Sequence, residues 1–360
     1  MNRVKTALVM AGGTGGHIFP GLAVAHALRE QGWQVHWLGA KGTPVRPSME
    51  SELVPPQGFV LETIAFGGLR GKGLVALALL PLRLLRAFWQ SIAVLRRVKP
   101  DVVIGLGGYI TFPGGLMAVL LRRPLILHEQ NSVAGLANKI LSRVADRVFT
   151  AFPKVIQGAF WVGNPLRTAF LNQPGPVERF AGRTGPLKLL VVGGSLGAKA
   201  LNEIVPQALS LMPMEHRPQV LHQSGAQQLD ALRANYADAG VAAEITPFID
   251  DTAPAFADAD MVICRAGAST VTEIAAVGAA ALFVPFPFAV DDHQTTNARF
   301  LADQDAAWWI AQSQLTPQRL ADMLQKTERQ ALINKGLKAK MMQKLDATTQ
   351  IVAACEELSA

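Results

Sequence analysis

The sequence has few cysteines, few charged residues and no long uninterrupted apolar run. Its two cysteines, Cys264 and Cys355, form no CxxC pair, which argues against a disulfide framework or a cysteine zinc site and fits a reducing compartment. Charged residues make up 17% of the chain and hydrophobic residues 50%, a composition that excludes a disordered protein. A globular chain of 360 residues is long enough for two domains, each with its own core.

A membrane-spanning segment is also missing. The longest helix-like apolar stretch, residues 74–82, is about half of what a membrane span needs. The first residues run directly into an apolar strand pattern, so we expect no signal peptide. We therefore expect a protein that does not cross a membrane, although it can lie on one.

Acidic residues are scarce in the first half of the chain. Residues 1–166 hold 18 Lys or Arg and 7 Asp or Glu, a net charge of +11, whereas residues 167–360 hold 16 and 20, a net charge of −4. A basic domain suits an anionic partner such as nucleic acid, acidic lipid headgroups or a pyrophosphate; the simpler alternative is charge that keeps it soluble. Aromatic residues are only 7% of the chain and no basic-aromatic stacking motif occurs, which disfavours RNA.

Glycine-rich turns occur three times: AGGTGGH at residues 11–17, GLGGY at 105–109 and GGSLGA at 193–198. Each follows an apolar run and precedes a helical pattern, a junction that binds phosphates and sugars in parallel α/β sheets. The first two turns lack the third glycine of a dinucleotide fingerprint, because Ile18 and Ile110 stand there. A GxxxxGK[ST] motif is missing too, so dehydrogenase and P-loop NTPase functions are disfavoured.

Short apolar runs alternate with helical patterns through both halves. We predict strands at residues 6–11, 34–38, 102–104 and 125–127, and again at 189–192, 219–222, 243–246, 261–264, 281–284 and 307–310. Continuous apolar strands with helices between them indicate parallel sheets that are buried on both faces. The predicted fold class is therefore α/β, with two Rossmann-like domains that face a cleft.

Polar side chains stand at the predicted ends of the first-half strands. His17 ends the first glycine turn, Tyr109 follows the second, and Glu129 lies in the sequence HEQN at residues 128–131. In this position His17 is a candidate general base, and the HEQN side chains can bind hydroxyl groups. The alternatives are structural: a histidine that hydrogen-bonds at a helix start, and polar residues that cap the next helix.

The second half carries the sequence CRAGASTVTEIAAVG at residues 264–278, directly after a predicted strand. Ser269 and Thr270 would open a helix whose free amides can hold a pyrophosphate, and Glu273 can accept two hydrogen bonds from a ribose diol. The alternative for Glu273 is a capping box with Ser269. Downstream, DDHQTTNA at 291–298 offers amide side chains for sugar hydroxyls, and PFID at 247–250 offers backbone groups for a flat base.

Seven motifs stand in an order that resembles one enzyme family: GGTGGH, GLGGY, HEQN, GNPLR, GGSLGA, FIDD and CRAGASTVTEIAA. They are similar to those of the MurG family, the peptidoglycan N-acetylglucosaminyltransferases that act on lipid I, and the resemblance covers nearly the whole chain. It implies the GT-B fold. An acceptor- and membrane-binding domain would span residues 1–166, a UDP-sugar-binding domain 167–340, and a C-terminal helix, 341–360, would return to the first domain.

The resemblance also implies the roles of individual residues. The implied donor site comprises Thr14, Gly15, Gly16, Asn131, Arg167, Ser195, Ile249, Ala268, Ser269, Thr270, Val271, Thr272, Glu273, Gln294 and Asn297. In that set Ile249 would meet the uracil and Glu273 the ribose. The implied acceptor residues are Gly107, Gly108 and Tyr109, and the implied catalytic residues are His17 and Glu129.

The implied reaction is an inverting hexosyl transfer. The MurNAc 4-hydroxyl of undecaprenyl-pyrophosphoryl-MurNAc-pentapeptide (lipid I) attacks the sugar's anomeric carbon from the face opposite UDP, which gives lipid II for peptidoglycan synthesis. A base takes the hydroxyl proton, and helix amides with Arg167 hold the charge of the leaving diphosphate. We expect no required metal, since no DxD-like motif lies in a strand-end loop, although Mg²⁺ can stimulate the reaction.

The implied partners are UDP-N-acetylglucosamine, lipid I, an anionic membrane surface and other cell-wall synthesis proteins, with no nucleic acid. Such an enzyme would lie peripherally on the cytoplasmic face of the bacterial inner membrane. Two other functions stay open at this point. One is a UDP-sugar 2-epimerase with the same two-domain cleft, and the other is a non-catalytic basic scaffold that binds membrane or RNA.

Residues 69–89 are the predicted membrane contact. The apolar positions Leu74, Leu77, Leu80, Leu84 and Phe88 recur at helical spacing, and the basic residues Arg70, Lys72, Arg83 and Arg86 border them. The alternative is an ordinary buried helix with basic ends. The basic first half and the lipid acceptor that the resemblance implies favour the membrane contact.

Overall fold

The structure is a computed structural model that describes residues 3–43, 47–67, 79–194 and 197–360. The chain divides into two compact units, named here unit 1 (Met1–Arg167 with Lys344–Ala360) and unit 2 (Thr168–Gln343). Each unit is built around one parallel β-sheet. The predicted α/β fold with two Rossmann-like domains is therefore confirmed.

Unit 1 holds a seven-stranded sheet in the order β3-β2-β1-β4-β5-β6-β7. Its strands are β1 Thr6–Met10, β2 Gln34–Ala40, β3 Val60–Ile64, β4 Val102–Gly105, β5 Leu125–Glu129, β6 Arg147–Thr150 and β7 Phe160–Trp161. Between them the described helices are α1 Gly15–Glu30, α2 Met49–Leu53, α3 Leu80–Val98, α4 Thr111–Leu120 and α5 Leu136–Leu141. Ala7 and Val9 belong to one core cluster and Leu8 and Met10 to another, so both faces of the sheet are buried.

Unit 2 holds a six-stranded sheet in the order β10-β9-β8-β11-β12-β13. Its strands are β8 Lys188–Val192, β9 Gln219–Gln223, β10 Glu244–Thr246, β11 Met261–Cys264, β12 Ala281–Phe283 and β13 Trp308–Trp309. Its described helices are α6 Thr168–Leu171, α7 Pro176–Phe180, α8 Lys199–Ser210, α9 Leu229–Asp238, α10 Thr252–Asp258, α11 Ala268–Val277, α12 His293–Ala302, α13 Pro317–Lys326 and α14 Arg329–Met341.

The strand order reverses beside β1 in unit 1 and beside β8 in unit 2. β1 pairs with β2 on one side and with β4 on the other, and β8 lies in the same way between β9 and β11. The loops that follow such a strand pair leave the carboxyl edge of the sheet in opposite directions and open a crevice there. The first two glycine turns follow β1 and β4 and lie at the carboxyl edge of the first sheet, and the third follows β8 at the carboxyl edge of the second sheet.

The last helix, α15 (Ala347–Leu358), returns to unit 1, which confirms that part of the predicted fold. Ile351 and Cys355 are fully buried in the core cluster that α1 also lines. Glu356 anchors the helix, because its carboxylate accepts hydrogen bonds from the side chains of Lys5 and Trp33. The last residues of the chain thus complete the core of unit 1.

In helix α3 the predicted apolar stripe faces the core and not the solvent, so the residues predicted for the membrane contact need correction. Leu80, Leu84 and Phe88 of the predicted apolar stripe are partly buried and pack on the core of unit 1. The outward face carries other residues, Leu82 (64% exposed), Leu85 (56%) and Trp89 (71%). Periodicity finds a stripe but cannot tell which of two adjacent apolar stripes meets the core. Arg83 and Arg86 are exposed as expected, whereas Arg70, Lys72, Leu74 and Leu77 lie outside the described residues.

We predict that Ile351→Ala lowers the free energy of unfolding by about 2–5 kcal/mol, the usual cost of truncating a buried aliphatic side chain. Thr349→Ala, on the exposed side of the same helix, serves as the control and should change it by less than about 0.5 kcal/mol. Urea denaturation of both variants measures the difference. Equal stabilities would mean that α15 contributes little to the core of unit 1.

Candidate active site

The loop after β1 is held by a buried carboxylate that the sequence did not reveal. Glu50, from α2, is fully buried and accepts hydrogen bonds from the backbone of Ala40 (3.0 Å) and Gly13 (3.3 Å). A Cβ at Gly12 would lie 2.4 Å from Glu50 Oε1, and Gly13 has a left-handed φ of 91°. The loop therefore needs its glycines to fit around Glu50 as well as to leave room for a ligand.

The loop after β4 meets the loop after β1 at very short range. A Cβ at Gly108 would lie 2.4 Å from the carbonyl oxygen of Gly12, and one at Gly107 would lie 2.6 Å from His17 Nδ1. Both residues have positive φ, 84° and 90°. The predicted acceptor residues Gly107 and Gly108 are thus required by contacts within unit 1, and their contact with an acceptor stays a prediction.

Tyr109 lies half-buried beside this junction. Its ring would be 3.4 Å from a Cβ at Gly13 and packs edge-to-face on Phe66. Burial, together with the nearby Glu50 carboxylate, raises the pKa of Tyr109 above its usual value. The phenol is therefore a neutral hydrogen-bonding group at physiological pH.

His17 begins a chain of hydrogen bonds that runs into the core of unit 1. Its Nδ1 lies 2.9 Å from Gln130 Oε1, and Gln130 Nε2 lies 3.0 Å from His128 Nδ1. His128 Nε2 in turn lies 2.8 Å from the carbonyl oxygen of Gly163. His128 and Gln130 are buried, whereas His17 is partly exposed. Sequence reasoning found His17 and the HEQN segment but did not join them.

His128 is held neutral inside the protein. Burial lowers its pKa to about 4, and the neighbouring His17 acts in the same direction. Its hydrogen bond to Gly163 opposes this shift but does not outweigh it. The ring can therefore donate from one nitrogen and accept at the other.

Glu129, the second predicted catalytic residue, is buried, and its carboxylate already accepts several hydrogen bonds within unit 1. Its carboxylate accepts hydrogen bonds from the backbone of Asn131 (3.0 Å) and Gly135 (3.1 Å) and from Asn138 Nδ2 (2.8 Å). These bonds shape the loop after β5 and fix Asn131 beside it. A direct catalytic role for Glu129 stays a prediction, and His17 is the better placed of the two candidates.

The start of α1 places the remaining first-unit donor residues. Thr14 is the N-cap, with extended backbone, and Gly15 and Gly16 form the first turn. Among the described side chains, only Thr14 Oγ1, at 3.8 Å, would lie near a Cβ at Gly16, so this residue has room beside it in the described structure. Arg167, the last residue of this part of unit 1, stacks its guanidinium 5.8 Å from the centre of the Phe19 ring.

In unit 2 the loop after β8 is shaped by glycines, and the predicted Ser195 lies outside the described residues. Gly194 and Gly197 both have positive φ. A Cβ at Gly197 would lie 2.0 Å from the carbonyl oxygen of Ser224, whereas none of the described atoms lies within 4 Å of one at Gly194. The described part of this loop therefore has no room for a side chain at Gly197 but has room for one at Gly194.

Helix α11 starts directly after β11 and presents its amides at the same edge. Gly267 is the N-cap and supplies no side chain, so the amides of Ala268, Ser269 and Thr270 have no acceptor within the helix. Ser269 Oγ is inaccessible to solvent and has no hydrogen-bond partner among the described residues. A buried hydroxyl beside the first amides of a helix is an arrangement that can hold an anion.

The position of Glu273 in α11 tests its capping-box alternative, and its contact with a ribose stays a prediction. A capping box places the acidic residue at the third helical position, which here is Thr270, whereas Glu273 is the sixth. The capping-box alternative is therefore wrong. Val271 is fully buried, and Thr272 Oγ1 donates to the carbonyl oxygens of Ala268 (3.1 Å) and Ser269 (2.9 Å). These two residues support the helix from within, and their contact with a donor stays a prediction.

Two amides from α12 brace the neighbouring loops. Asn297 is fully buried and donates to the carbonyl oxygen of Ala266 (3.1 Å), which positions the turn before α11. Gln294 Oε1 accepts from the backbone of Phe286 (2.9 Å). Ile249, predicted to meet a base, lies partly buried after β10. The direct sugar contacts of Gln294 and Asn297 remain predictions, to which the structure adds these bracing roles.

Within the described ranges, no cluster of three or more His, Cys, Asp or Glu side chains is arranged to hold a metal ion. Among the same residues, no helix is both long and apolar enough to cross a bilayer. Taken separately, the candidate regions of the two units offer main-chain amides, hydroxyls and side-chain amides, together with the partly exposed His17 in unit 1.

These features are those of a nucleotide-sugar glycosyltransferase, and the comparisons agree. Residues 7–150 match the glycosyltransferase family 28 N-terminal domain, and residues 188–352 match the C-terminal domain of that family. The crystal structure of MurG from Acinetobacter baumannii superposes with a TM-score of 0.85 at 42% identity and covers 98% of this chain and 99% of that chain.

Two relatives are similar over their entire length. The UDP-N-acetylglucosamine--N-acetylmuramyl-(pentapeptide) pyrophosphoryl-undecaprenol N-acetylglucosamine transferase of Polaromonas naphthalenivorans (strain CJ2) is 72% identical, with 100% of both chains covered. The transferase of the same name from Paracidovorax citrulli (strain AAC00-1) is 70% identical, again with 100% of both covered. The chain belongs to this family of N-acetylglucosamine transferases, and the resemblance inferred from its motifs is confirmed.

We predict that His128 does not bind a proton between pH 8 and 5, because its pKa is about 4. The unfolded chain, with a histidine pKa of about 6.5, binds that proton first, so folding stability from this residue is complete above pH 6.5. It then falls by about 1.4 kcal/mol per pH unit down to pH 4. NMR titration of histidine-labelled protein measures this, and a His128 signal that titrates near pH 6.5 would contradict it.

Proposed function

We propose that this protein transfers N-acetylglucosamine, with inversion, from UDP-N-acetylglucosamine to the MurNAc 4-hydroxyl of lipid I. The observation that carries this proposal is the 70–72% identity, over the entire chain, to two transferases named for that reaction. The two candidate regions supply the groups that such a reaction needs. One region holds a base, and the other holds donors for a diphosphate.

Unit 2 is proposed to bind the donor. The amides at the start of α11 and the buried hydroxyl of Ser269 would hold the diphosphate, since a helix N-terminus attracts negative charge. Glu273, one and a half turns into the helix, would accept hydrogen bonds from the ribose diol. The same amides would stabilise the charge that grows on UDP as the glycosidic bond breaks.

Unit 1 is proposed to supply the base. His17 lies at the carboxyl edge of the first sheet, partly exposed, with its Nδ1 engaged by Gln130. The 4-hydroxyl of the acceptor would give its proton to this imidazole while its oxygen attacks the anomeric carbon. We retain metal independence as part of the proposal: activity should survive EDTA, and Mg²⁺ would act only as a stimulator.

The proposal is favoured over the two alternatives by chemistry as well as by similarity. An epimerase would act on UDP-N-acetylglucosamine alone, whereas the named relatives are transferases with a lipid-linked acceptor. A non-catalytic scaffold would need neither an anion site at the start of α11 nor the hydrogen bonds that link His17, Gln130 and His128. Incubation of the pure protein with labelled UDP-N-acetylglucosamine, with and without lipid I, tests all three. Label that enters the lipid fraction only when lipid I is present supports the transferase; conversion without acceptor would support the epimerase.

We predict that Ser269→Ala weakens UDP binding by roughly 10- to 100-fold, because a hydrogen bond to a charged group contributes about 1.5–3 kcal/mol. The same change should leave the melting temperature equal or higher, since the buried hydroxyl has no hydrogen-bond partner in the described parts of the chain. Calorimetry and thermal unfolding measure the two effects, with the exposed Ser313→Ala as the matched control. Unchanged UDP affinity in the folded variant would remove Ser269 from the donor site.

We further propose that α3 docks unit 1 on an anionic membrane, with other cell-wall synthesis proteins as neighbours. The helix presents Leu82, Leu85 and Trp89 to solvent, and Arg83 and Arg86 lie on its exposed surface. It contains no acidic residue. Shallow insertion of such a face and attraction of its arginines to anionic headgroups reinforce each other. This would place the enzyme peripherally on the cytoplasmic face of the inner membrane, where a lipid-linked acceptor is found.

We predict that the triple change Leu82→Ser, Leu85→Ser and Trp89→Ser abolishes co-sedimentation with anionic vesicles and leaves UDP binding intact. The matched control is the pair Met214→Ser and Val177→Ser, which removes exposed apolar side chains from unit 2 instead. Vesicle binding of the unaltered protein should weaken as salt rises, because the attraction is screened. Retained vesicle binding by the triple variant would exclude α3 as the docking face.

A further inference from the structure

We propose that Gln130 and His128 are positioning residues that fix the tautomer of His17, with its proton on Nδ1 and a free electron pair on Nε2. The sequence offered the HEQN segment for binding hydroxyl groups and gave neither residue this positioning role. The inference rests on the proposed function in one respect, since it matters for catalysis only if His17 is the base. The donor and the acceptor of each hydrogen bond can be assigned in turn, from Gly163 to His17.

The first step starts from a group that can only accept. The carbonyl oxygen of Gly163 has no proton to give, so His128 Nε2, at 2.8 Å, must be the donor. Because His128 is buried and neutral, its other nitrogen, Nδ1, then carries an electron pair and must accept.

The second step fixes the side chain of Gln130. Its Nε2 lies 3.0 Å from His128 Nδ1 and 3.2 Å from the carbonyl oxygen of His128. Both partners are acceptors, and only an NH₂ group can serve both. The amide oxygen of Gln130 must therefore point the other way, towards His17.

The third step sets the tautomer of His17. Gln130 Oε1, at 2.9 Å from His17 Nδ1, can only accept, so Nδ1 carries the proton. In neutral His17 the electron pair is then on Nε2, the nitrogen that Gln130 does not occupy. In the proposed reaction the acceptor O–H bond breaks, an Nε2–H bond forms, the oxygen bonds to the anomeric carbon, and the bond to UDP breaks with its electron pair.

Gly107 makes this arrangement possible. With a φ of 90°, its backbone passes over the His17–Gln130 hydrogen bond, where a Cβ would lie 2.6 Å from His17 Nδ1 and 3.0 Å from Gln130 Oε1. Any side chain there would displace one partner. The acceptor of the His17 proton is an uncharged amide, which orients the imidazole ring of His17 without placing a negative charge beside it. This distinguishes the arrangement from a histidine–carboxylate pair.

NMR of the unaltered, full-length protein with ¹⁵N-labelled histidine tests the inference directly. The His17 signals, assigned by comparison with His17→Ala, should report a protonated Nδ1 and a bare Nε2 in the neutral ring. A predominantly Nε2-protonated ring, or a freely exchanging mixture, would overturn the proposal. This readout does not depend on catalysis, so it separates the tautomer from the proposed function.

Kinetics tests whether the tautomer is used. Gln130→Met keeps the side-chain length but removes all three of its hydrogen bonds described above. We expect kcat to fall by about 10- to 1,000-fold, given that a wrong tautomer costs a serine-protease triad about 10⁴. KM for the donor should stay unchanged. In a His17→Ala background the same substitution should cost nothing further, since it acts only through His17.

A matched control comes from helix α3. Gln90→Met removes an amide that accepts from the backbone of Ala65 in the same unit, and it should leave kcat unchanged. If Gln130→Met costs as much in the His17→Ala background as in the otherwise unaltered protein, its role is structural and the proposal is overturned. If His17→Ala alone keeps its kcat, the base assignment fails while the NMR result still stands on its own.

Discussion

The parallel pairing of β1 with β4 is the constraint on which the candidate site of unit 1 depends. Because these strands end at the same edge of one sheet, the loops that follow them are forced together although about 95 residues separate them. Gly108 reaches the carbonyl oxygen of Gly12, and Gly107 reaches His17. Neighbouring β5 brings the HEQN segment to the same edge. Without this pairing, His17 would have no Gln130 to meet.

Buried polar groups explain why these loops hold one shape. Glu50, Glu129 and His128 are buried at or beside the carboxyl edge of the first sheet, and each is hydrogen-bonded to the backbone of a loop. A buried charge or imidazole without such partners would be costly, so the loops and the side chains stabilise each other. Ser269 in unit 2 is different, because its buried hydroxyl has no partner among the described residues. The first unit is preorganised by internal hydrogen bonds, and the second contains a buried hydroxyl that the proposed function assigns to the donor.

The two units use one architecture for different tasks. Each has a strand-order reversal and a glycine turn after its central strand. In unit 1 the reversal gathers side chains into a proton-directing chain, and in unit 2 it exposes the amides of α11. Under the proposed function the two-substrate reaction is divided between the units: the edge of unit 1 would accept a proton, and the edge of unit 2 would hold phosphate charge.

The sequence by itself determined the fold class, the central strands and the location of the candidate site, because these depend on local patterns. Buried parallel strands are continuous apolar runs, and glycine turns mark the strand ends. The edge strands β3 and β7 escaped prediction, since exposure removes the apolar run from Val60–Ile64 and Phe160–Trp161. The inner strand β6, Arg147–Thr150, was not predicted either. Tertiary structure alone decided the rest: which stripe of α3 faces solvent, the role of Glu50, and the position of the proton on His17. The last depends on a contact between residues 113 positions apart, and no local pattern encodes a contact of that range.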